Sequence, residues 1–333
     1  MQMQLLDGGW VRQGNIVAFP QGWQLPAKTE EWIYETLIRE NCNSLFVEYV
    51  AFPWATLIDL IKRKKNDKVN FYVAALKSAP PKKNLIRVTS CQHVEFKSII
   101  DYFRELGISD LFASHKEVGS NAIHNIRLHP LALYPVSFFN DIDCGFRDLN
   151  KRKYLYSFIG AYDQGCYISD VRDKILSGSK SSDCLIIKRN NWHFELDVYK
   201  QQIDGLDLSL DEINCIKRDA IEYKRAISDS IFSLCPSGSG PNSIRFWESI
   251  ALGAIPILLS DRLDVPQLSS SIKYLRYAEN EYPRFLASLP NIELKELKFQ
   301  FSKENVSSLF LENIISFFSD KKKLINMHKL YSK

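Results

Sequence analysis

Short unbroken apolar runs alternate along this chain with stretches in which apolar residues recur every three or four positions. The runs have the length and β-branched content of buried strands, and the stretches have the period of amphipathic helices. The most complete unit lies at 230–261. The run Ile231 to Cys235 predicts a strand that Pro236 ends. Gly238 and Gly240 follow, with Ser237 and Ser239 before and between them, where glycine permits positive φ and close approach to a ligand. A helical pattern runs from about Asn242 to Leu252, Gly253 stands where a C′ residue belongs, and Ile255 to Leu259 predicts the next strand. Strand, glycine loop, helix and strand make up half of a nucleotide-binding α/β domain.

The remaining pattern extends this architecture in both directions. Strands are expected at 14–19, 44–51, 71–76, 85–90 and 110–113, with helices at 29–38 (Thr29 as N-cap), 55–62 and 95–106, the last stopped by Gly107. Such alternation points to a parallel sheet wound on both sides. A polar stretch at 140–153 reads as a linker, and its Asp141 and Asp143 as solvated linker residues rather than a metal-binding pair. Beyond it, strands are expected at 156–160, 184–188, 231–235, 255–259 and 271–275. A strongly apolar helix after Glu304, carrying Val306, Phe310, Ile314, Phe317 and Phe318, closes the pattern. The expected organisation is α/β, with one Rossmann-like domain at 1–145, a second at 152–302, and a terminal segment at 303–333.

Composition narrows the class. Lysine and arginine (43) exceed aspartate and glutamate (39) by four in 333 residues, and neither an arginine-rich arm nor zinc-finger spacing occurs, so no nucleic-acid partner is expected. The run Lys62 to Lys65 suits a helix C-terminus. Seven dispersed cysteines without a CxxC fit reduced thiols. The first residues carry neither a basic n-region nor an apolar h-region, and no apolar run approaches the length of roughly 18 residues needed to span a bilayer. A cytoplasmic protein is expected. The basic tail with Lys321, Lys322 and Lys323 could hold it to the anionic inner membrane face, or simply face solvent.

Candidate chemistry gathers on the helix after the glycine loop. Asn242, Arg245, Glu248 and Ser249 share one face by spacing, opposite Ile244, Trp247, Ile250 and Ala251. Its N-terminus suits a diphosphate, Arg245 could grip phosphate oxygens with both arms, and the Glu248 carboxylate could accept ribose hydroxyls. The same spacing also fits an ordinary amphipathic helix with Arg245 and Glu248 paired on its surface. Because ligands lie beyond the carboxyl ends of strands in open α/β sheets, Gly160, Ser237, Gly238, Gly240, Asn242, Ser243 and Arg245 would border one crevice.

The run CPSGSGPNSIRFWESIALGAIPILLSD, Cys235 to Asp261, resembles the signature of the exostosin family of glycosyltransferases. Upstream, YLYSFIGA at 154–161 resembles the family's first donor-domain strand, and Asp170-Val171-Arg172 its arginine-bearing helix. The resemblance implies a GT-B fold: two Rossmann-like domains facing each other across a cleft, with a C-terminal helix crossing back onto the first. It implies a nucleotide-sugar donor, UDP being the expected carrier, and an inverting transfer with no cofactor and no catalytic metal. Arg172 and Arg245 would then neutralise the leaving diphosphate. Inversion needs a general base; His93 and His115 each follow a first-domain strand and are the candidates, with Glu48 a further one. The expected acceptor is a glycan, lipid-linked or free, in bacterial O-antigen or capsule synthesis. Two other readings stand beside this one. The first is a nucleotide-sugar-binding subunit without catalysis. The second is an NAD-dependent oxidoreductase, against which count Ser243 at the third glycine position and the lack of an acid closing the strand after the helix.

Overall fold

In a computed structural model of the chain, the described residues are 2–319, apart from 43, 144–146, 179–180, 193, 271 and 293–300. They form two compact units. One comprises Met1–Ala132, Asp264–Leu268 and the chain from Ser307; the other comprises Leu133–Leu263 and Ser269–Val306. The stretch 140–153 lies within the second unit, and the lysines at 321–323 lie outside the described residues.

The first unit carries strands β1 (Gln4–Leu5), β2 (Val11–Gln13), β3 (Ile16–Ala18), β4 (Val47–Ala51), β5 (Ile86–Cys91), β6 (Asp110–Ala113), β7 (Ala122–Ile123) and β8 (Ile126–Pro130). They lie in the order β1-β2-β3-β4-β5-β6-β8-β7. From β3 to β8 the pairing is parallel, while β1, β2 and β7 add antiparallel edges. The order along these parallel strands never reverses, so this sheet has no switch point. Helices α1 (Thr29–Arg39), α2 (Trp54–Lys62), α3 (Asn66–Lys77) and α4 (Ile100–Glu105) lie in the connections.

Two sequence expectations fail here. The aromatic and β-branched run 71–76 is part of α3, not a strand: Tyr72, Ala75 and Leu76 are buried at helical spacing while Phe71 is exposed, and Trp10 Nε1 ties the helix down at the Ala75 carbonyl (2.8 Å). Thr29 is not a cap but the first residue of α1, its N–H donating to Gln92 Oε1 at 2.6 Å.

Glu48 sits in β4 at 1 % exposure. Arg12 Nη1 meets its Oε1 at 3.0 Å, and Arg87 meets its Oε2 at 2.6 Å while also donating to the Leu106 and Pro80 carbonyls. Glu48 is therefore a structural counter-ion rather than a base. Glu48→Ala would leave a buried guanidinium unpaired, and urea unfolding should show a loss of about 3–5 kcal/mol.

The second unit carries β9 (Tyr154–Gly160), β10 (Cys184–Lys188), β11 (Ser230–Pro236), β12 (Ile255–Leu259) and β13 (Leu275–Arg276), all parallel, in the order β10-β9-β11-β12-β13. Its helices are α5 (Val136–Phe139), α6 (Val171–Ser177), α7 (Leu210–Ser228) and α8 (Ile244–Ala251). The core holds Phe158, Val171, Ile175, Phe232, Leu234 and Ile257. The strand order reverses between β9 and β11: the chain steps outward to β10, then returns across β9 to build the rest. In open α/β sheets a ligand crevice opens at such a switch point, beyond the carboxyl ends of the strands. Here those ends are Gly160 and Pro236.

Local signals explain the elements that frame this point. Ser209 and Glu212 form a reciprocal capping box that starts α7, a helix the apolar pattern alone did not reveal. Gly253, at φ 73°, ends α8 in a Schellman turn in which Ala254 N–H donates to the Ser249 carbonyl and Gly253 N–H to that of Ile250.

The terminal apolar pattern forms two helices, α9 (Lys303–Phe310) and α10 (Glu312–Ser319). In the first unit, Phe317 and Phe318 stand edge-on to Phe112 and Tyr49, with ring centroids 5.6 and 6.2 Å apart, and Ser307 Oγ accepts from Trp32 Nε1 at 2.9 Å. No helix among the described residues is long and apolar enough to cross a membrane.

Candidate functional site

At the switch point the second sheet presents two guanidinium groups with one aromatic ring between them. Phe158, inward-facing near the end of β9, has Arg245 4.3 Å and Arg172 5.8 Å from its ring centroid. Arg245 comes from α8 and donates to the carbonyls of Ile159 and Leu234. Arg172 comes from α6; its Nε donates to the Ser237 carbonyl at 2.7 Å, its Nη1 to that of Ala161 at 3.4 Å, and it lies 4.6 Å over the Tyr167 ring. Burial, and then the neighbouring Arg245 charge, lower the Arg172 guanidinium to about 10. Arg172 is thus still a cation at neutral pH. Among the described residues neither forms an ion pair with a carboxylate. Two like charges held together by carbonyl dipoles and aromatic faces leave an electrostatic demand that an anion would satisfy.

The glycine loop closes one side. Ser237 N–H donates to the Leu259 carbonyl and Gly238 N–H to that of Gly240, while the Gly238 carbonyl accepts from Ile168 N–H. Neither Gly238 nor Gly240 takes the positive φ expected of them. Gly238 is needed for proximity instead: a Cβ there would lie 3.3 Å from an Arg172 nitrogen. Gly160 works similarly, since a Cβ there would stand 3.0 Å from the Phe158 ring and 3.4 Å from Arg245 Nη2. Asn242 Oδ1 accepts from Ser243 N–H and Trp247 Nε1, shaping the turn into α8, which begins at Ile244 with Ser243 preceding it.

The helix face expected to be polar is buried. Every residue from Arg245 to Ala251 is buried, so a surface Arg245–Glu248 pair does not exist. Glu248 is 2 % exposed; its Oε1 accepts from Ser137 N–H at 2.8 Å and its Oε2 from the Tyr223 hydroxyl at 2.7 Å. At that exposure little of the carboxylate is open to a ribose hydroxyl. Tyr223 in turn lies under Arg245, 5.3 Å from its ring centroid. Glu248 therefore buttresses the floor on which Arg245 rests.

Sequence reasoning missed several residues at this edge. Tyr167 stacks on Tyr162 at 5.8 Å beside Arg172, and Ser169 Oγ lies 3.1 Å from Ser237 Oγ. Glu279, just past β13, accepts from Ser237 Oγ at 2.7 Å. A turn-prone position after a strand end was their signal, and no spacing rule links them to the loop they meet.

In the first unit, His93 and His115 follow β5 and β6, as expected. His93 Nδ1 accepts from Glu95 N–H at 3.0 Å and Nε2 lies 3.3 Å from Asp59 Oδ1, so both ring nitrogens are committed. Burial, with His93 close by, lowers His115 to about 3 and keeps it neutral. An unsuspected group lies beside them. Glu30, 3 % exposed, accepts from the N–H groups of Gln92 (3.1 Å) and Ala55 (3.2 Å), and burial pushes it from its ordinary 4.5 up to about 8. The folded state thus holds the Glu30 proton more tightly than the unfolded one. The stability this lends is complete below pH 4.5 and is lost as pH rises towards 8. His115 has the opposite sign, costing stability as pH falls below 6.5. Between pH 6.5 and 8, thermal melts should therefore show stability falling by at most about 1.4 kcal/mol per pH unit, a slope that Glu30→Gln should flatten.

Among the described residues, no group of three or more His, Cys, Asp or Glu side chains could hold a metal ion. The family model described as the Exostosin GT47 domain matches residues 131–278. This stretch of the chain is similar to an exostosin GT47 domain. It takes in β9 to β13 with Gly160, Arg172, the glycine loop and α8, and it stops one residue short of Glu279. An Exostosin-1 homolog of Caenorhabditis elegans is 30 % identical over 175 residues, covering 50 % of this chain and 42 % of that protein. A probable glucuronoxylan glucuronosyltransferase of Arabidopsis thaliana is 43 % identical over 44 residues, 13 % of this chain and 10 % of that protein. The chain thus spans less than half the length of either relative.

Proposed function

We propose that this protein is an inverting glycosyltransferase that moves a sugar from a nucleoside-diphosphate donor to a glycan acceptor without a catalytic metal. The observation that carries this reading is the Arg172–Arg245 pair at the switch point of the second sheet, with no carboxylate paired to it among the described residues. Transition-state charge grows on the leaving diphosphate, and preorganised cations in a site of low dielectric stabilise it without reorganising. Gly160, Ser237, Gly238 and Gly240 would let the backbone approach that diphosphate, while Asn242, Ser243 and Glu248 hold the loop and helix in place. UDP is the proposed carrier, as the exostosin likeness implies. In this reading the two units are the halves of a GT-B enzyme, and the acceptor proton passes to a histidine of the first unit, His93 or His115. The acceptor is proposed to be a bacterial surface glycan, O-antigen or capsule, extended in the cytoplasm at the inner membrane face.

The test is release of nucleoside diphosphate from a panel of UDP- and GDP-sugars offered with oligosaccharide acceptors, in EDTA and in magnesium, with the product anomer read by NMR. Turnover of one donor in EDTA, giving the inverted anomer, supports the reading. Turnover only with magnesium, or retention of configuration, would contradict it. Binding of a nucleotide-sugar without turnover across acceptors favours the non-catalytic subunit instead.

A further inference from the structure

Positive charge is concentrated in one stretch of this chain. Between Ile61 and Lys83 stand eight lysines and arginines against a single acid, Asp67, although the excess over the whole chain is only four. The rest of the sequence is therefore acidic on balance. The first five of these cations, at 62–65 and 68, fall where α2 gives way to α3. Helix α2 is buried from Trp54 to Leu60 and emerges only at Ile61; the cations that follow are exposed, Lys65 partly so.

Helix chemistry accounts for the first of these cations and not for several of the others. Lys62 lies in the last turn of α2, where the dipole favours a cation, and it pairs with Glu95 at 2.6 Å. Lys64 is the C′ residue of α2: its N–H donates to the Ile61 carbonyl, Lys65 N–H donates to that of Leu60, and its φ is 54°. Glycine is the ordinary occupant of that position, since a side chain there is strained. Lys65 is the N-cap of α3 and its side chain makes no capping bond, where a serine or aspartate would supply one. Lys68 lies in the first turn of α3, at the end whose dipole disfavours a cation. Three lysines thus occupy positions where local stability favours another residue, which points to a use for their charge. Two large apolar side chains accompany them. Ile61 is 39 % exposed, and Phe71, one turn beyond Lys68 on the same face, is 51 % exposed.

We propose that this corner docks the protein on a bilayer containing anionic phospholipid. The cations meet headgroup phosphates, while Ile61 and Phe71 enter the boundary between headgroups and acyl chains. Seven of the eight cations are lysines, point charges that suit fluid headgroups, whereas the fixed phosphates of a nucleic acid favour arginine forks. The surface belongs to the first unit, and the inference does not depend on the donor-site reading.

Sedimentation of the full chain with phosphatidylcholine vesicles, with and without phosphatidylglycerol, tests this. Wild type should pellet with the anionic vesicles alone, and less so as salt screens the charges. Lys64→Gly should weaken that association about fivefold, the effect of one surface charge. It should melt no lower than wild type, because glycine relieves the positive φ. Lys64→Arg should bind as wild type does, and Lys64→Glu combined with Lys68→Glu should bind about 100-fold more weakly or worse. Nucleoside-diphosphate binding should be the same in all of these proteins, so that failure of either reading leaves the other standing. Wild type that ignores anionic vesicles, or a charge-reversed variant that binds them as wild type does, would overturn the assignment. Displacement from the vesicles by a DNA duplex that binds this corner more tightly would overturn it in favour of nucleic acid.

Discussion

Arg172→Ala should reduce nucleoside-diphosphate affinity by about 100-fold while leaving the fold nearly as stable as before. A charge-assisted contact to phosphate contributes roughly 1.5–3 kcal/mol, and Arg172 would present two donors to a phosphate oxygen pair. Stability should hold because two effects oppose each other. The variant loses the bonds to the Ser237 and Ala161 carbonyls and the contact with the Tyr167 ring, but it also removes the repulsion that Arg245 exerts on Arg172. The net change should stay within about 1 kcal/mol. Arg172→Lys is informative here, since lysine keeps the charge and loses the planar fork; it should recover part of the affinity. A variant that folds and binds nucleotide as wild type does would remove Arg172 from the site.

The second large effect is expected at Glu248, and it is one of stability. Glu248→Ala removes the acceptor for both the Ser137 N–H and the Tyr223 hydroxyl in a region closed to water. Each orphaned buried donor costs about 1–3 kcal/mol, so urea unfolding should register a loss of about 3–5 kcal/mol, with nucleotide affinity falling only as far as Arg245 loses its footing on Tyr223. Glu248→Gln should be much milder, because the amide oxygen can still accept from Ser137 while Tyr223 turns to accept from the amide nitrogen. Unchanged stability with abolished nucleotide binding would instead return Glu248 to the ribose.

These two residues mark how far the sequence could be read. Strands buried on both faces announce themselves as unbroken apolar runs, which is why 110–113 and 255–259 coincide with β6 and β12. The glycine loop and α8 were legible for the same reason, with Gly253 ending the helix as its position predicted. The orientation of the helix was not. Spacing places Arg245 and Glu248 on a common face, but only the packing of α5 and α7 decides that this face is buried, and that Ser137 and Tyr223 take up its carboxylate. Composition misled at 71–76, where FYVAAL reads as a strand until the period of its buried positions is known. Glu30 stands in the first turn of α1 like any helix-start acid, but its burial, which raises its pKa, comes from packing with segments 25 and 62 residues away that no local signal encodes. Glu279 likewise owes its place to the parallel pairing of β12 with β13, which no local motif encodes.

The central claim is that the switch point of the second sheet receives a nucleoside diphosphate through paired arginines. Calorimetric titration of the purified protein with UDP, GDP, CDP and NAD, in EDTA and then in magnesium, tests it most directly. One nucleoside diphosphate should bind in EDTA, with an affinity that magnesium does not raise and that weakens with added salt as the charges are screened. Binding of NAD, with none of the diphosphates bound, would contradict the account and point to a dinucleotide enzyme.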